Sequence, residues 1–215
     1  TYIEDFENIY RLAMKRMDVI LRMTESRERL SFLDIGSAMG FFLKCARDMG
    51  ADRVRGIEIS DYAARYAQKE FGIETITRPF DEIPADEIYD VITAWFFLEH
   101  CPDPAVVIGK IYTSLSRGGV FAFSVPSSFG PLFTFRRQEW ISTRPVDHRI
   151  DFTPRGARRI LKKAGFRRVN VRASGIHPER MLREDHPLYR PFSFIYGRLA
   201  PLFNFSDTIE IYAVK

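Results

Sequence analysis

The sequence contains few cysteines and no long apolar run. Its 215 residues include 2 cysteines, Cys45 and Cys101, which stand in apolar surroundings and form no metal-ligand cluster. We therefore expect buried thiols in a reducing compartment, which favours the cytoplasm, and we expect no metal site. The longest apolar run, Val91 to Leu98, is too short to cross a bilayer, so no transmembrane segment is expected.

Three binding motifs are also missing. The sequence has no G-x-G-x-x-G turn, which would bring a pyrophosphate onto a helix, and no G-x-x-x-x-G-K-[ST] loop. Nicotinamide-dependent oxidoreduction is therefore disfavoured, and nucleoside triphosphate cleavage is not expected. No recognisable nucleic-acid-binding motif occurs, so a nucleic-acid partner is not expected either.

Charge is distributed unevenly along the chain. The net charge is +4, but residues 136–200 hold 16 Lys and Arg against 6 Asp and Glu, and the remainder holds 16 against 22. Two interpretations stay open: a solvated basic helix face, or a basic second half that meets an acidic small molecule or an anionic surface. The length fits a single domain over 1–215.

Strand and helix patterns alternate along much of the chain. An amphipathic helix is predicted within 1–28, and later helix patterns begin at the capping residues Ser60, Asp103 and Thr153. The alternation predicts an α/β fold, a doubly wound, mostly parallel, Rossmann-like sheet with helices on both faces. The predicted strands are 30–35, 54–59, 73–77, 89–96, 120–125, 168–173 and 208–214.

Two long segments, 127–151 and 176–206, interrupt this alternation. Both are rich in aromatic residues, arginine and proline, and both are predicted to be irregular. Long ordered loops that a sheet does not need for closure are often functional. We therefore expect the two segments to form a lid over a substrate.

A nucleotide-type site is predicted where the first strand ends, in the turn from Asp34 to Gly40. Gly36 and Gly40 let a ligand approach the backbone closely, and the next helix begins with unpaired N–H groups. Glu58 ends the second strand, 22 residues after Gly36, where a carboxylate can accept hydrogen bonds from both hydroxyls of a ribose. A tight turn needs glycine in any case, so this glutamate is what favours an adenosine-type ligand.

Four segments of the chain form a recognisable set. They are FLDIGSAMGFFL at 32–43, VITAWFFLEHCPDP at 91–104, LSRGGV at 115–120 and LKKAGF at 161–166. These segments resemble motifs of class I S-adenosylmethionine-dependent methyltransferases, and their order is similar to that of the type 23 branch, which is related to the ubiquinone-biosynthesis O-methyltransferases. The similarity runs from about residue 5 to 174, is weak over 176–206 and returns in the closing strand.

This resemblance implies S-adenosyl-L-methionine as cofactor, S-adenosyl-L-homocysteine as product, and a seven-stranded sheet whose last strand is antiparallel. It also implies that the turn after the first strand holds the methionine end, with the ribose on Glu58. Ile59, Phe80 and Asp81 would surround the adenine, and the end of the fourth strand would close over the sulfonium. The implied cofactor-binding residues are Asp34, Gly36, Ser37, Ala38, Met39, Gly40, Glu58, Ile59, Phe80, Asp81, Ala94 and Trp95.

Two positions depart from the family pattern. Ala38 stands where the middle glycine of the first motif is usual, and Pro79 replaces the acidic contact to adenine. Alanine is small enough that we expect cofactor binding to survive in a weakened form. Adenine recognition would then rest on backbone groups and packing.

The acceptor side depends on histidine and aromatic residues. A sulfonium methyl is already activated, so the enzyme chiefly aligns the nucleophile and excludes water. A hydroxyl acceptor must also lose a proton, commonly to histidine. We interpret His148 as the catalytic base, with a loop-fastening role as the alternative. His100 and Trp140 are expected to bind the acceptor, and for His100 a structural role is the alternative.

The sequence therefore predicts methyl transfer from S-adenosylmethionine, at oxygen, to a small-molecule or sugar- or lipid-linked acceptor. Two alternatives stay open: a catalytically silent adenosylmethionine-binding module and a nicotinamide-dependent oxidoreductase. The aromatic and basic stretch 188–205 is interpreted as core packing or a lid, or as an apolar surface for a lipid-linked acceptor.

Overall fold

Seven strands form one sheet in the computed structural model, which describes residues 3–25 and 29–215. They are β1 (Ser31–Ile35), β2 (Arg53–Ile57), β3 (Glu74–Ile76), β4 (Tyr89–Trp95), β5 (Leu115–Pro126), β6 (Arg168–Ser174) and β7 (Thr208–Val214). The strand order is β3-β2-β1-β4-β5-β7-β6. The first five strands run parallel, and β7 is antiparallel to both of its neighbours. The predicted doubly wound α/β fold is confirmed.

The helices that the structure describes connect and cover these strands. None of them is long and apolar enough to span a membrane. The helix predicted within 1–28 is α1, and residues 26–28 of that prediction, like 1–2, lie outside the described residues. The α-helices are α1 (Phe6–Met23), α2 (Phe41–Asp48), α3 (Asp61–Phe71), α4 (Pro104–Ser114), α5 (Pro131–Phe135), α6 (Arg137–Thr143), α7 (Pro154–Ala164) and α8 (Tyr189–Phe203).

Three predicted caps fix the helices that follow the strands. Ser60 accepts the Ala63 N–H at the start of α3, at 3.3 Å between Oγ and N. The carboxylate of Asp103 caps α4 and the hydroxyl of Thr153 caps α7 in the same way. Each cap satisfies a backbone donor that has no partner inside its helix. Short polar side chains therefore set where these helices begin.

The core lies on both faces of the sheet, as the alternation of side chains along β5 shows. Phe121 and Phe123 pack on the face covered by α4 and α7, whereas Val120 and Ala122 pack on the face covered by α1 and α2. Successive side chains of a strand point to opposite faces, so a strand buried on both sides must be apolar throughout.

The two segments predicted to be irregular contain helices. Residues 127–151 include α5 and α6, and residues 176–206 include α8. The prediction of irregular structure was therefore wrong. The sequence did not indicate α8 because this helix is apolar on both faces, lacks the one-sided apolar stripe of a surface helix, and contains Pro191 and Pro201. Pro191 lies in the first turn, where a helix tolerates the missing N–H.

Candidate functional site

The turn after β1 is shaped by a run of left-handed backbone conformations. Gly36 has φ +73°, Ala38 +46° and Gly40 +77°. The amides of Gly36 and Ser37 both donate to the Ile57 carbonyl oxygen, at 2.8 and 3.0 Å. The turn is thereby held against the end of β2, with its backbone facing the carboxyl edge of the sheet.

Ala38 is strained, because a left-handed conformation costs an L-residue roughly 1–2 kcal/mol. The variant Ala38→Gly should therefore gain up to about 1 kcal/mol of unfolding free energy, after the greater unfolded-state entropy of glycine is subtracted. The matched control is Ala105→Gly on the exposed face of α4, which should lose stability. Urea unfolding measures both variants, and a loss of stability in Ala38→Gly would contradict this description of the turn.

Glu58 joins this turn to the start of α3. One carboxylate oxygen accepts the Ala38 N–H at 2.9 Å, and the other accepts the Ser60 N–H at 2.8 Å. A carboxylate has about four acceptor sites, so two remain available to a ligand. The side chain is half-buried and lines an open cleft, so these acceptor sites are accessible to a ligand.

The cleft has a volume of about 800 Å³ and runs along the carboxyl ends of β1, β2 and β4. Gly36, Glu58 and Ile59 line one end, and His100, Asp147 and Arg149 line the other. Ligands of doubly wound sheets bind at this edge. The cleft is also large enough for a nucleoside together with a second small molecule.

Two histidines meet beside the cleft. His100 Nδ1 lies 3.1 Å from Asp147 Oδ2, and the His148 ring stands perpendicular to the His100 ring at 4.8 Å between centroids. The Arg149 N–H donates to the Glu99 carbonyl oxygen at 2.7 Å, which fastens this loop to the 3-10 helix Leu98–His100. Partial burial and the neighbouring His100 lower the pKa of His148, so the neutral imidazole is present at neutral pH.

Comparison with known proteins places the chain in a family. The family model described as "Methyltransferase domain" matches residues 7–171. The chain belongs to this methyltransferase family. It is therefore a methyltransferase, an enzyme that transfers a methyl group.

Individual relatives agree with this assignment. The chain is 25% identical over 206 residues to a ubiquinone biosynthesis O-methyltransferase of Bordetella avium, covering 90% of this chain and 80% of the relative. The corresponding protein of Pasteurella multocida is 29% identical over 136 residues, 56% of each chain.

Solved structures share the fold at lower identity. A SAM-dependent methyltransferase from Archaeoglobus fulgidus superposes with a TM-score of 0.67 over 100% of both chains, at 17% identity. A methyltransferase described as putative and S-adenosylmethionine-dependent, from Listeria monocytogenes, gives 0.64 over 94% of this chain and 97% of that one, at 20%.

Several predicted residues of the methyltransferase site lie together in the cleft. Gly36, Glu58, Ile59, Phe80, Asp81 and His100 all line it. Met39 and the buried Gly40 complete the turn behind the lining, and Gly40 packs so closely on α3 that an added Cβ would lie 3.0 Å from Ala67. Their roles, in acceptor binding for His100 and in cofactor binding for the others, remain predictions.

Other predicted residues lie outside the cleft lining. The Ser37 hydroxyl points towards Gly56 on β2, where an added Cβ would lie 2.4 Å from it. Ala94 is fully buried in β4. Trp140 is buried in α6 with its ring edge-on to Phe133 at 5.8 Å. The structure therefore gives Trp140 a packing partner, and its role in acceptor binding remains a prediction.

Asp34 is buried at the end of β1 and accepts a hydrogen bond from Thr93 Oγ1 on β4 at 2.6 Å. Burial raises its pKa to about 7, although Thr93 and the positive charge of Arg16 oppose the rise. A carboxyl in this state can hold a proton or a cationic group at the methionine end. Its position is consistent with the predicted role.

Arg16 is a residue that the sequence reading missed. It lies on the buried face of α1, pairs with Glu210 at 2.9 Å and stacks over the Trp95 ring at 4.0 Å from the centroid. Trp95 Nε1 is buried without a hydrogen-bond partner among the described residues. An arginine inside the apolar stripe of the first helix was the signal that pointed to a buried polar centre here.

Phe96 was also missed. It has φ +54°, directly after β4, and its half-exposed ring lines the cleft together with Phe97. A bulky side chain in the left-handed region is a conformational outlier, and strain of this kind often occurs at functional sites. No sequence pattern indicates a left-handed phenylalanine.

Glu99 is the third missed residue. It is 1% exposed, and neither carboxylate oxygen has a hydrogen-bond partner among the described residues. Burial, with a further effect from Asp147, raises its pKa to about 7. Ligand atoms of Glu99, His100 and His148 all lie within 4.8 Å of one another, a set of the kind that could hold a divalent cation.

The raised pKa of Glu99 predicts a pH-dependent loss of stability. The folded value of about 7 lies above the unfolded value of about 4.3, so the folded state binds the proton more tightly. Stability from this group is present below the unfolded pKa and is lost as pH rises through about 7. Glu99→Gln should therefore exceed the parent in stability at pH 8 and match it near pH 4, by denaturant unfolding in EDTA. If the stability difference between Glu99→Gln and the parent were the same at pH 4 and pH 8, Glu99 would already be ionised in the folded protein at pH 4.

Proposed function

We propose that this methyltransferase methylates a hydroxyl of a small acceptor, including one carried on a sugar or a lipid. The observation that carries the proposal is the continuity of the cleft, which joins Glu58 at one end to the His100–Asp147 pair at the other. The names of the relatives, O-methyltransferases of ubiquinone biosynthesis, support oxygen as the methylated atom.

The cofactor would occupy the end of the cleft formed by the turn after β1. S-adenosylmethionine supplies a methyl group that is already activated on a sulfonium. The free acceptor sites of Glu58 would orient the ribose, and Ile59 and Phe80 would pack on the adenine. The buried carboxyl of Asp34 and the guanidinium of Arg16 would hold the charged methionine end.

His148 would take the proton of the acceptor hydroxyl. Because its pKa is lowered, the His148 imidazole is neutral at neutral pH and can accept this proton. His100, held by Asp147, lies against its ring and acts as a positioning residue. Proton removal matters because a phenolate or alkoxide is the better nucleophile towards a sulfonium methyl.

The first interrupting segment would form the acceptor lid of the single domain. Asp147 and Arg149 from 127–151 line the cleft, whereas no residue of 176–206 does. Arg149 is also the only Lys or Arg between residues 136 and 200 in that lining. Its guanidinium would select acceptors with an anionic group. The other basic residues of this half do not line the cleft.

An acceptor screen tests the proposal. The protein is incubated with methyl-labelled S-adenosylmethionine and panels of catechols, phenols, sugars and amines, and products are examined by mass spectrometry and by the NMR shift of the new methyl group. We expect label on oxygen, with anionic acceptors preferred and the preference reduced in Arg149→Gln. Label on nitrogen or carbon would contradict the proposal. Cofactor binding with no labelled product from any panel would favour a silent binding module.

A further inference from the structure

The outward face of α8 is apolar and uncovered. Tyr196 and Ala200 are the buried residues of this helix. With 3.6 residues per turn, the exposed apolar side chains form a strip along one flank of the helix, beside these two residues, with Phe194 farther round. The strip consists of Leu188, Phe194, Ile195, Leu199, Leu202 and Phe203, which are between 48% and 72% exposed. We call it the α8 face.

Aromatic residues of the first interrupting segment extend the α8 face. Phe129 and Phe135 stand edge-on to the Phe205 ring, at 5.6 and 6.2 Å between centroids, and are 44% and 64% exposed. Phe205 lies two residues beyond the end of α8, so the apolar surface continues from α8 to α5. Contiguous apolar surface of this kind marks an interaction site.

The charged residues of α8 itself are positive. α8 contains Arg190 and Arg198 and no acidic residue, and the Arg198 guanidinium lies 4.6 Å over the Phe194 ring. Arg136 and Arg137 follow Phe135 directly, and Arg136 forms an ion pair with Glu139. Arginines that surround exposed aromatic and aliphatic side chains match a surface that is apolar inside and anionic outside.

We infer that the α8 face docks on a bilayer that contains anionic lipid. A symmetric contact between two copies would bring the same arginines of both chains together, with no acidic residue on α8 to neutralise them. A bilayer surface accommodates both features, because the apolar side chains enter the acyl boundary and the arginines meet lipid phosphates. At about 22 Å, from 1.5 Å per residue, α8 would lie in the plane of the interface.

Docking would also orient the enzyme. α8 connects the end of β6 to the start of β7, and Thr208 pairs with Pro126 at the carboxyl end of β5. The α8 face therefore lies at the same edge of the sheet as the cleft. Docking on a bilayer does not depend on which atom of the acceptor is methylated. It would give residues 176–206, which do not line the cleft, a function of their own.

Vesicle sedimentation tests this inference with the full chain. The vesicles are phosphatidylcholine alone or phosphatidylcholine mixed with phosphatidylglycerol. We expect binding to the mixed vesicles that weakens as salt rises, and little binding to phosphatidylcholine alone. The double variant Phe194→Ser and Leu202→Ser should reduce the partition coefficient about tenfold or more, since two exposed apolar side chains no longer insert. Arg190→Gln with Arg198→Gln should remove the preference for the anionic lipid.

Matched controls lie at the opposite edge of the sheet. Ile88→Ser and Arg117→Gln change exposed residues of the same kinds, and Ile88 directly precedes β4. Both should bind vesicles like the parent, and all variants should keep the parent melting temperature. Equal binding by the Phe194 and Leu202 variant, or no preference for the anionic lipid, would overturn the inference. The inference would also be overturned if the parent did not bind vesicles but formed a dimer in solution, and if the Phe194 and Leu202 variant were monomeric.

Discussion

Replacing His148 by alanine is expected to lower turnover by about 10²–10⁴-fold, the usual contribution of a general base. S-adenosylmethionine affinity should stay nearly unchanged, because His148 does not line the cleft itself and contacts His100, at the end opposite Gly36 and Glu58. Single-turnover kinetics with labelled donor and a titration of S-adenosylhomocysteine measure the two effects separately. His177→Ala is the control, since this histidine pairs with Glu179 outside the cleft.

The pH profile of the parent should follow from the lowered pKa of His148. Turnover should rise with pH through a value below 6.5, because the neutral base is required and burial favours it. The sequence alone would suggest the ordinary histidine pKa of about 6.5, and the structure places the pKa of His148 below that value. A profile that rises only above 6.5 would contradict this. Loss of activity in EDTA, with recovery on adding Mg²⁺, would instead make His148 a metal ligand together with Glu99 and His100.

Replacing Glu58 by alanine is expected to weaken S-adenosylhomocysteine binding about tenfold or more. Each hydrogen bond to a charged group is worth roughly 1.5–3 kcal/mol, and the ribose would lose up to two. The variant also leaves the Ala38 and Ser60 amides without their acceptor, so its melting temperature should fall as well. Isothermal titration well below that temperature isolates the binding effect.

Two comparisons make the Glu58 result specific. Glu58→Gln keeps one oxygen for a backbone amide and should fall between the parent and Glu58→Ala in affinity. Glu70→Ala, which alters a glutamate paired with Lys69 at the far end of α3, should bind like the parent. A dissociation constant for Glu58→Ala within about twofold of the parent, less than a typical hydrogen bond is worth, would mean that the ribose lies elsewhere.

The geometry of the turn after β1 and its proximity to Glu58 could be predicted from the sequence because the signals are local. The turn from Asp34 to Gly40 and the glutamate at the end of β2 lie in adjacent strands, and parallel pairing places Asp34 beside Gly56. The cap residues likewise act on amides two or three positions away. Where sequence neighbours determine geometry, the pattern was sufficient.

The acceptor end could not be read in this way. The contact of His100 with Asp147 joins residues far apart in the chain, and it depends on a loop held to the Glu99 carbonyl oxygen by two backbone hydrogen bonds, from Arg149 and Ile150. Burial of Glu99 is also set by the way this loop packs, not by its sequence neighbours. α8 escaped prediction because its apolar residues point in both directions, so the pattern did not show which face would be left uncovered.

Ligand-induced stabilisation tests the central claim, that this cleft binds S-adenosylmethionine. A ligand at about 100 times its Kd adds about 2.7 kcal/mol to the stability of the folded state, which for a domain of this size raises Tm by about 5–10 °C. We expect S-adenosylmethionine and S-adenosylhomocysteine to produce this rise and NAD to produce none. An equal rise with NAD, or no rise with either sulfur nucleotide, would contradict the account.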